Sequence, residues 1–378
     1  MFLKALPFAV SFTLTPLVVM SALYGGYWIM GPFVWGWVCI SLLDRALGKN
    51  TQNMDPATAD STLFWHSLIT WIWVPIQMVL MALCLYQATH ADHLTTWEAV
   101  GVMGGLGVAT GGIGINFAHE LVHQRNRWER TLGEWLLHSV AYGPFATEHV
   151  YGHHITVATP KDPVTARKGQ SFLSFFPQAV IGTFVSAWEI DRDRLARRGL
   201  PIWHKTNPFW RYALGAGLFI GIAAALGGWW GVMLFFVQAL MAIYQLEAVN
   251  YTEHYGLTRR YLGNGAFERV KPCHSWNAAQ TFSNWMLINL QRHSDHHYRP
   301  SRRYPLLQHY AWKDAPQLPF GYPLMVAMAV IPPLWFAVMN PRVDRWRAKF
   351  YPDIDDWTDY DNGTHDRTEP GAQVVPAE

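Results

Sequence analysis

The histidines carry the most chemistry in their spacing. Three short motifs hold eight of them: His119-Glu120-Leu121-Val122-His123, Glu148-His149-Val150-Tyr151-Gly152-His153-His154 and His293-Ser294-Asp295-His296-His297. Residues three and four apart share a helix face, so each motif predicts a helix presenting its imidazoles together. A lone histidine is ordinarily a surface or core residue. Eight in three tight motifs point instead to metal, since neutral imidazole suits zinc, copper, iron and nickel. A structural zinc takes four protein ligands and a catalytic zinc three plus water, so eight imply two metals. Iron fits best, because its octahedral preference leaves open positions for dioxygen. Few carboxylates stand between these histidines, unlike the Glu and Glu-x-x-His ligands of ferritin-like sites.

A ninth histidine, His254, lies in Asn250-Tyr251-Thr252-Glu253-His254-Tyr255-Gly256-Leu257. On spacing alone it reads equally as an interfacial histidine or as a ligand at the depth of His119. Glu120, Glu148, Glu253 and Asp295 stand beside the motifs. They are candidates to accept the second ring N–H of a ligating histidine, which fixes its tautomer; the competing reading is a solvated helix face. Cys39, Cys84 and Cys273 are too scattered for a disulfide framework or a sulfur metal site.

The elements that must position these motifs are membrane helices. Only 15% of the chain is charged, whereas soluble domains carry about 25%. The deficit falls in apolar runs, and about 20 apolar residues cross a bilayer. Six runs qualify: 6–24, 27–47, 63–88, 97–118, 210–228 and 229–249. The first reads as a retained helix rather than a signal peptide. The fourth is rich in glycine, which lets membrane helices approach closely. The run 319–339 is broken by Pro323, Pro332 and Pro333; it is expected to re-enter or lie on the membrane, with a seventh span as the lesser alternative. The acidic tail from Asp353 is expected to be flexible.

With the N-terminus inside, the outer loops at 24–27, 88–96 and Gly228 hold no Lys or Arg. The positive-inside rule then puts the histidine motifs on the cytoplasmic side. The expected fold is an all-α integral membrane protein: six transmembrane helices with a cytoplasmic-facing, helical, histidine-rich di-metal domain. The expected division is 1–118 (four spans), 119–209 (first two motifs), 210–250 (two spans), 251–352 (last motifs and the membrane-associated apolar stretch) and 353–378 (tail).

These spacings on a six-span scaffold resemble the membrane di-iron superfamily of alkane hydroxylases, xylene monooxygenase and fatty-acid desaturases. The finer likeness is to the alkane 1-monooxygenases. Residues 250–257 look like that family's extra motif, 290–297 match its last histidine box, and the segment Lys271-Pro272-Cys273-His274-Ser275-Trp276-Asn277 is also similar to the family. The likeness runs from about 116 to 339 and is weaker in the first three spans. Gln124 departs from it, since a lysine often follows the first box. The resemblance implies two non-haem irons, with His254 joining the eight clustered ligands. It also implies O2-dependent hydroxylation of the terminal methyl of medium-chain alkanes to primary alcohols, in the inner membrane. Electrons would come from rubredoxin, with a rubredoxin reductase upstream. Nothing points to nucleic acid.

Arg259, Arg260, Arg269, Lys271, Arg299, Arg302 and Arg303 lie close to the last two motifs. Together they are expected to form a positive field for an acidic partner such as rubredoxin; topology enforcement is the plainer alternative. Trp35 and Trp37 are candidate substrate-channel residues, although aromatics in membrane helices more often anchor or pack. His274 is a candidate to support the site or dock a partner.

Three other functions compete. Fatty-acyl desaturation or hydroxylation would use the same spacings. A zinc protease would use His119-Glu120-x-x-His123 with Glu120 as base and Asp344 as third ligand, leaving the other clustered histidines idle. A metal transporter would place ionisable residues near the midplane of the spans, where this chain has few.

Overall fold

The computed structural model describes residues 1–364 and is mostly helical. Among the described residues, five helices are long and apolar enough to cross a membrane. Four come first: α1 (Phe2–Tyr24), α2 (Gly26–Leu47), α3 (Phe64–His90) and α4 (Thr96–Val122). Helices α5 (Arg127–His138), α6 (residues 145–156) and α7 (Phe172–Ala196) follow. The fifth apolar helix is α8 (Phe209–His254). After it come a short antiparallel hairpin, β1 (Tyr261–Gly263) with β2 (Ala266–Phe267), and the helices α9 (Thr281–Met286), α10 (His293–Tyr298), α11 (Tyr322–Ala329), α12 (Pro332–Phe350) and α13 (Thr358–Asn362).

Helix α8 holds 46 residues, about 69 Å of straight helix or twice the hydrocarbon thickness. It is not straight. Gly227 and Gly228 leave helical geometry, and Gly228 has φ +56°, which favours glycine. The helix is thus two halves joined by a tight turn, and runs 210–228 and 229–249 fall on either side of it. The second half packs against α4. A Cβ on Gly111 would lie 2.8 Å from the Ala242 Cα, so only glycine admits this approach. Side chains tie the helices across the apolar interior: Gln238 donates to Thr110 Oγ1 at 2.6 Å, and Gln77 donates to Ser139 Oγ at 2.7 Å.

The loops between spans gather at one end. Thr95 and Glu98 form a capping box that starts α4. Glu98 also accepts the Gly26 amide at 2.8 Å, and Gly227 lies against Thr89. The chain therefore carries α4 and the second half of α8 away from this end, towards the histidine motifs.

The run 319–339 breaks at Ile331 into α11 and α12. Met325, Ala329, Trp335 and Met339 are buried in a core with Tyr251 of α8 and Tyr255 just beyond its end. The tail departs from expectation. From Asp353 to residue 364 it is held against the body rather than loose: Asp353 pairs with Arg260, Asp361 with Arg347, and Trp357 packs on Trp346 and Tyr351. These aromatic and ionic contacts offset the chain entropy that its acidic composition suggested would win. The remainder of that tail, with His365, lies outside the described residues.

Candidate metal centre

Among the described residues, nine histidines converge at the end of the bundle away from the span-connecting loops, in two groups. His119, His123, His149, His154 and His296 form one; His153, His254, His293 and His297 form the other. Within each group the ligand-capable nitrogens lie within 4.8 Å of one another. His119 lies in the last turn of α4 and His254 ends α8, while α6 and α10 each contribute to both groups.

The division within α6 comes from local geometry. In an α-helix, residues five apart point about 140° away from each other. The segment His149–His153 is π-helical, with i to i+5 bonding. The wider turn brings His149 and His154 into line, their Nε2 atoms 3.1 Å apart. His153 is left facing the second group, with its Nε2 3.2 Å from that of His297. In α10 the i, i+4 pair His293 and His297 approach to 2.9 Å, and His254 lies 3.1 Å from His293.

These contacts fit metal ions. Nitrogens bound at adjacent octahedral positions of one ion, each at about 2.1 Å, lie about 3.0 Å apart, and the four Nε2 pairs span 2.9–3.2 Å. The Nε2 atoms of His119, His123 and His296 are buried without a hydrogen-bond partner, a cost that coordination would remove. Burial first, and the His153 ring second, push the His123 pKa down to about 3. Burial and neighbouring imidazoles also hold His149, His154, His293, His296 and His297 well below the ordinary value. Neutral rings with free lone pairs are the form that binds metal.

One carboxylate at the site carries no signal in the motif spacing. Asp162, in the loop after α6, accepts from His153 Nδ1 at 2.9 Å, both side chains being fully buried. This puts the ring proton on Nδ1 and leaves Nε2 free. Glu253 Oε1 lies 3.1 Å from His293 Nδ1. Glu148 is buried, with Oε1 unpartnered, and burial pushes its pKa well up. Glu120 and Asp295 turn elsewhere. Glu120 accepts from Gln124 Nε2 at 2.9 Å; Asp295 takes Arg302 Nη1 at 2.5 and 2.7 Å, the Tyr310 hydroxyl and the Gln308 amide. The protease arrangement is not formed: Glu120 is held by Gln124, Asp344 pairs with Lys168, and His119 and His123 sit among three further histidines.

A narrow apolar cavity runs from His119, His149 and His293 into the bundle, past Val108 and Ile113 to Trp37. Trp37 lines it. Trp35 packs elsewhere, donating to Thr13 Oγ1 at 3.0 Å and meeting Phe282 edge-on. Tyr322 and Glu253 also line the cavity beside His293. His274 stays outside both groups; it accepts the Lys271 amide at 2.9 Å and meets the Tyr351 hydroxyl at 2.7 Å.

The expected positive field is mostly consumed internally. Arg302 pairs with Asp295, Arg303 with Glu129, Arg260 with Asp353 and Lys271 with Glu268. Arg259 is buried, donating to the Ile155 and Glu268 carbonyls. Their charges meet carboxylates and carbonyls because the last motifs fold into a packed domain rather than an open rim. Arg269 and Arg299 remain exposed, the latter over the Tyr298 ring.

Comparison with known proteins agrees with this geometry. The fatty acid desaturase family model matches residues 95–328. Alkane 1-monooxygenase 2 of Pseudomonas aeruginosa is 40% identical over 85% of this chain and 88% of its own length. Alkane 1-monooxygenase 2 of Alcanivorax borkumensis is 38% identical, covering 88% and 89%. The xylene/toluene monooxygenase hydroxylase component of Pseudomonas putida is 26% identical over 86% of each. The matched residues 95–328 take in all nine histidines, and the chain belongs to the alkane 1-monooxygenase family.

Proposed function

We propose that this protein hydroxylates the terminal methyl of medium-chain alkanes to primary alcohols, using O2 at two irons. The observation that carries the reading is the apolar cavity ending on His119, His149 and His293, which draw on both histidine groups. His119, His123, His149, His154 and His296 would hold one iron; His153, His254, His293 and His297 the other. When bound, the irons supply the dioxygen activation that breaking an unactivated C–H bond requires. The chain's own residues do the rest. Asp162 orients His153, and Glu253 is placed to do the same for His293. The cavity wall at Val108, Ile113 and Trp37 takes the alkyl chain and excludes water.

In this reading the two halves of α8 are separate spans, giving six, with the histidine end in the cytoplasm of an inner-membrane protein. The segments 1–118, 119–209, 210–250 and 251–352 then alternate between membrane and cytoplasmic roles, with the tail after them. Rubredoxin, reduced by its reductase, delivers electrons at that face. The test is iron analysis with product analysis on octane in a rubredoxin-coupled assay. About two irons per chain and 1-octanol are expected. One zinc per chain, or desaturated acyl chains in place of the alcohol, would overturn the reading.

A further inference from the structure

A second hollow, separate from the two histidine groups, lies between α5, α6, the end of α7 and the first turns of α8. It has a volume of about 710 Å³, the size of a small-ligand site. Arg127, Arg130, Arg194 and Arg211 line it against one acid, Glu134. Arg211 is bound by Glu134 at 2.6 and 2.8 Å, and Arg194 by Asp191 at 2.8 Å. The guanidinium groups of Arg127 and Arg130 have no hydrogen bond or ion pair among the described residues. His138, 7% exposed, also lines the hollow, and its Nε2 is buried without a partner. Two unpaired guanidinium groups in a hollow lined by a single acid describe a site for an anion.

The other wall identifies which anion. Along α8 the lining passes from Arg211 to Leu214 and Leu218, about 10 Å further along the span. Leu214 is 74% exposed and Trp135 is also exposed. A free anion has no use for that apolar side; a lipid does, with its phosphate at the arginines and its acyl chain down the leucines. We propose that this hollow binds the headgroup of an anionic phospholipid at the histidine-bearing end of the bundle. The proposal rests on α8 crossing the membrane but not on the metal chemistry.

The test places the full-length protein in nanodiscs of equimolar phosphatidylglycerol and phosphatidylcholine and counts lipids retained by native mass spectrometry. The wild type is expected to retain phosphatidylglycerol in preference to phosphatidylcholine. The Arg127→Gln, Arg130→Gln double variant is expected to retain about tenfold less, with unchanged elution and melting. Equal retention of the two lipids by the wild type would overturn the proposal, as would a folded double variant that retains as much phosphatidylglycerol. So would displacement of the lipid by inorganic phosphate alone, which would mark a free-anion site. The selectivity measurement needs no variant, so a variant that fails to fold leaves the proposal open to refutation. Octane turnover plays no part in the readout, so failure here and failure of the hydroxylase reading are separable.

Discussion

Asp162 fixes the orientation of His153 in the four-histidine group. Its carboxylate is buried, accepts a hydrogen bond from His153 Nδ1 and is itself held by Thr165 Oγ1 at 2.5 Å. Removing such a partner usually costs about 10–100-fold in metal affinity. Asp162→Ala should therefore lose iron from that group first, leaving about one iron per chain under mild chelation; a full complement would sink the assignment. His149→Ala and His296→Ala should empty the other group, whereas His90→Ala and His93→Ala, at the far end, should leave iron content and turnover unchanged. Glu268 gives a pH test away from the metals. Burial alone would raise its pKa, but hydrogen bonds from His274, Lys271, Tyr351 and the Arg260 amide hold it far below the ordinary 4.5. A depressed folded-state pKa stabilises above the unfolded value and is lost as pH falls through the folded one. Glu268→Gln should thus cost about 1–3 kcal/mol at neutral pH, and the gap in melting temperature should narrow steadily below about pH 4.5. An equal gap at pH 7 and at pH 3.5 would contradict this account.

At the scale of elements, the π-helical segment His149–His153 decides which ring joins which group. Deleting Val150 would let α6 relax to a regular helix and shift every later side chain by about 100°. The deletion should lower iron content more than Val150→Ala, which keeps the register; equal iron in the two would show that the wide turn has no such role. This feature also marks the limit of what the sequence discloses. The spacing of His293, His296 and His297 announces a helix with its rings on one side, and α10 is that helix. Spacing does not reveal that His296 belongs with His119 while its neighbours belong with His254, because that depends on where α4 and α8 end in space. Asp162 was invisible for a related reason: it reaches His153 from a loop with no periodicity. Glu120 and Asp295 looked equivalent to Glu253 in sequence, but the first faces Gln124 and the second Arg302. Apolar run length and the boundary between runs 210–228 and 229–249 did disclose the helices and the break in α8, since a span needs a continuous apolar run and the turn between two spans needs the freedom of glycine.

For the whole molecule, the arrangement of charge bears on how electrons arrive. One end gathers the span-connecting loops and the other holds both histidine groups, so the donor proposed above would approach the histidine end. Most of the cations there already have partners, which changes where such a donor can be steered. Arg302 ties Asp295 beside His296, and Arg303 clamps Glu129 under α3; charge reversal at either should damage the fold and the iron content. Arg269 and Arg299 are exposed and free of ion pairs among the described residues. If rubredoxin is the donor, as proposed, Arg269→Glu with Arg299→Glu should raise its apparent KM while leaving kcat at saturation and iron content intact. Turnover in the wild type should fall with salt, because the Debye length shrinks from about 10 Å at 0.1 M to about 3 Å at 1 M, and the double variant should show a flatter dependence. Arg302→Glu should behave differently, losing iron at any salt concentration. A donor KM that ignores both ionic strength and the Arg269, Arg299 charges would place docking on another part of this face.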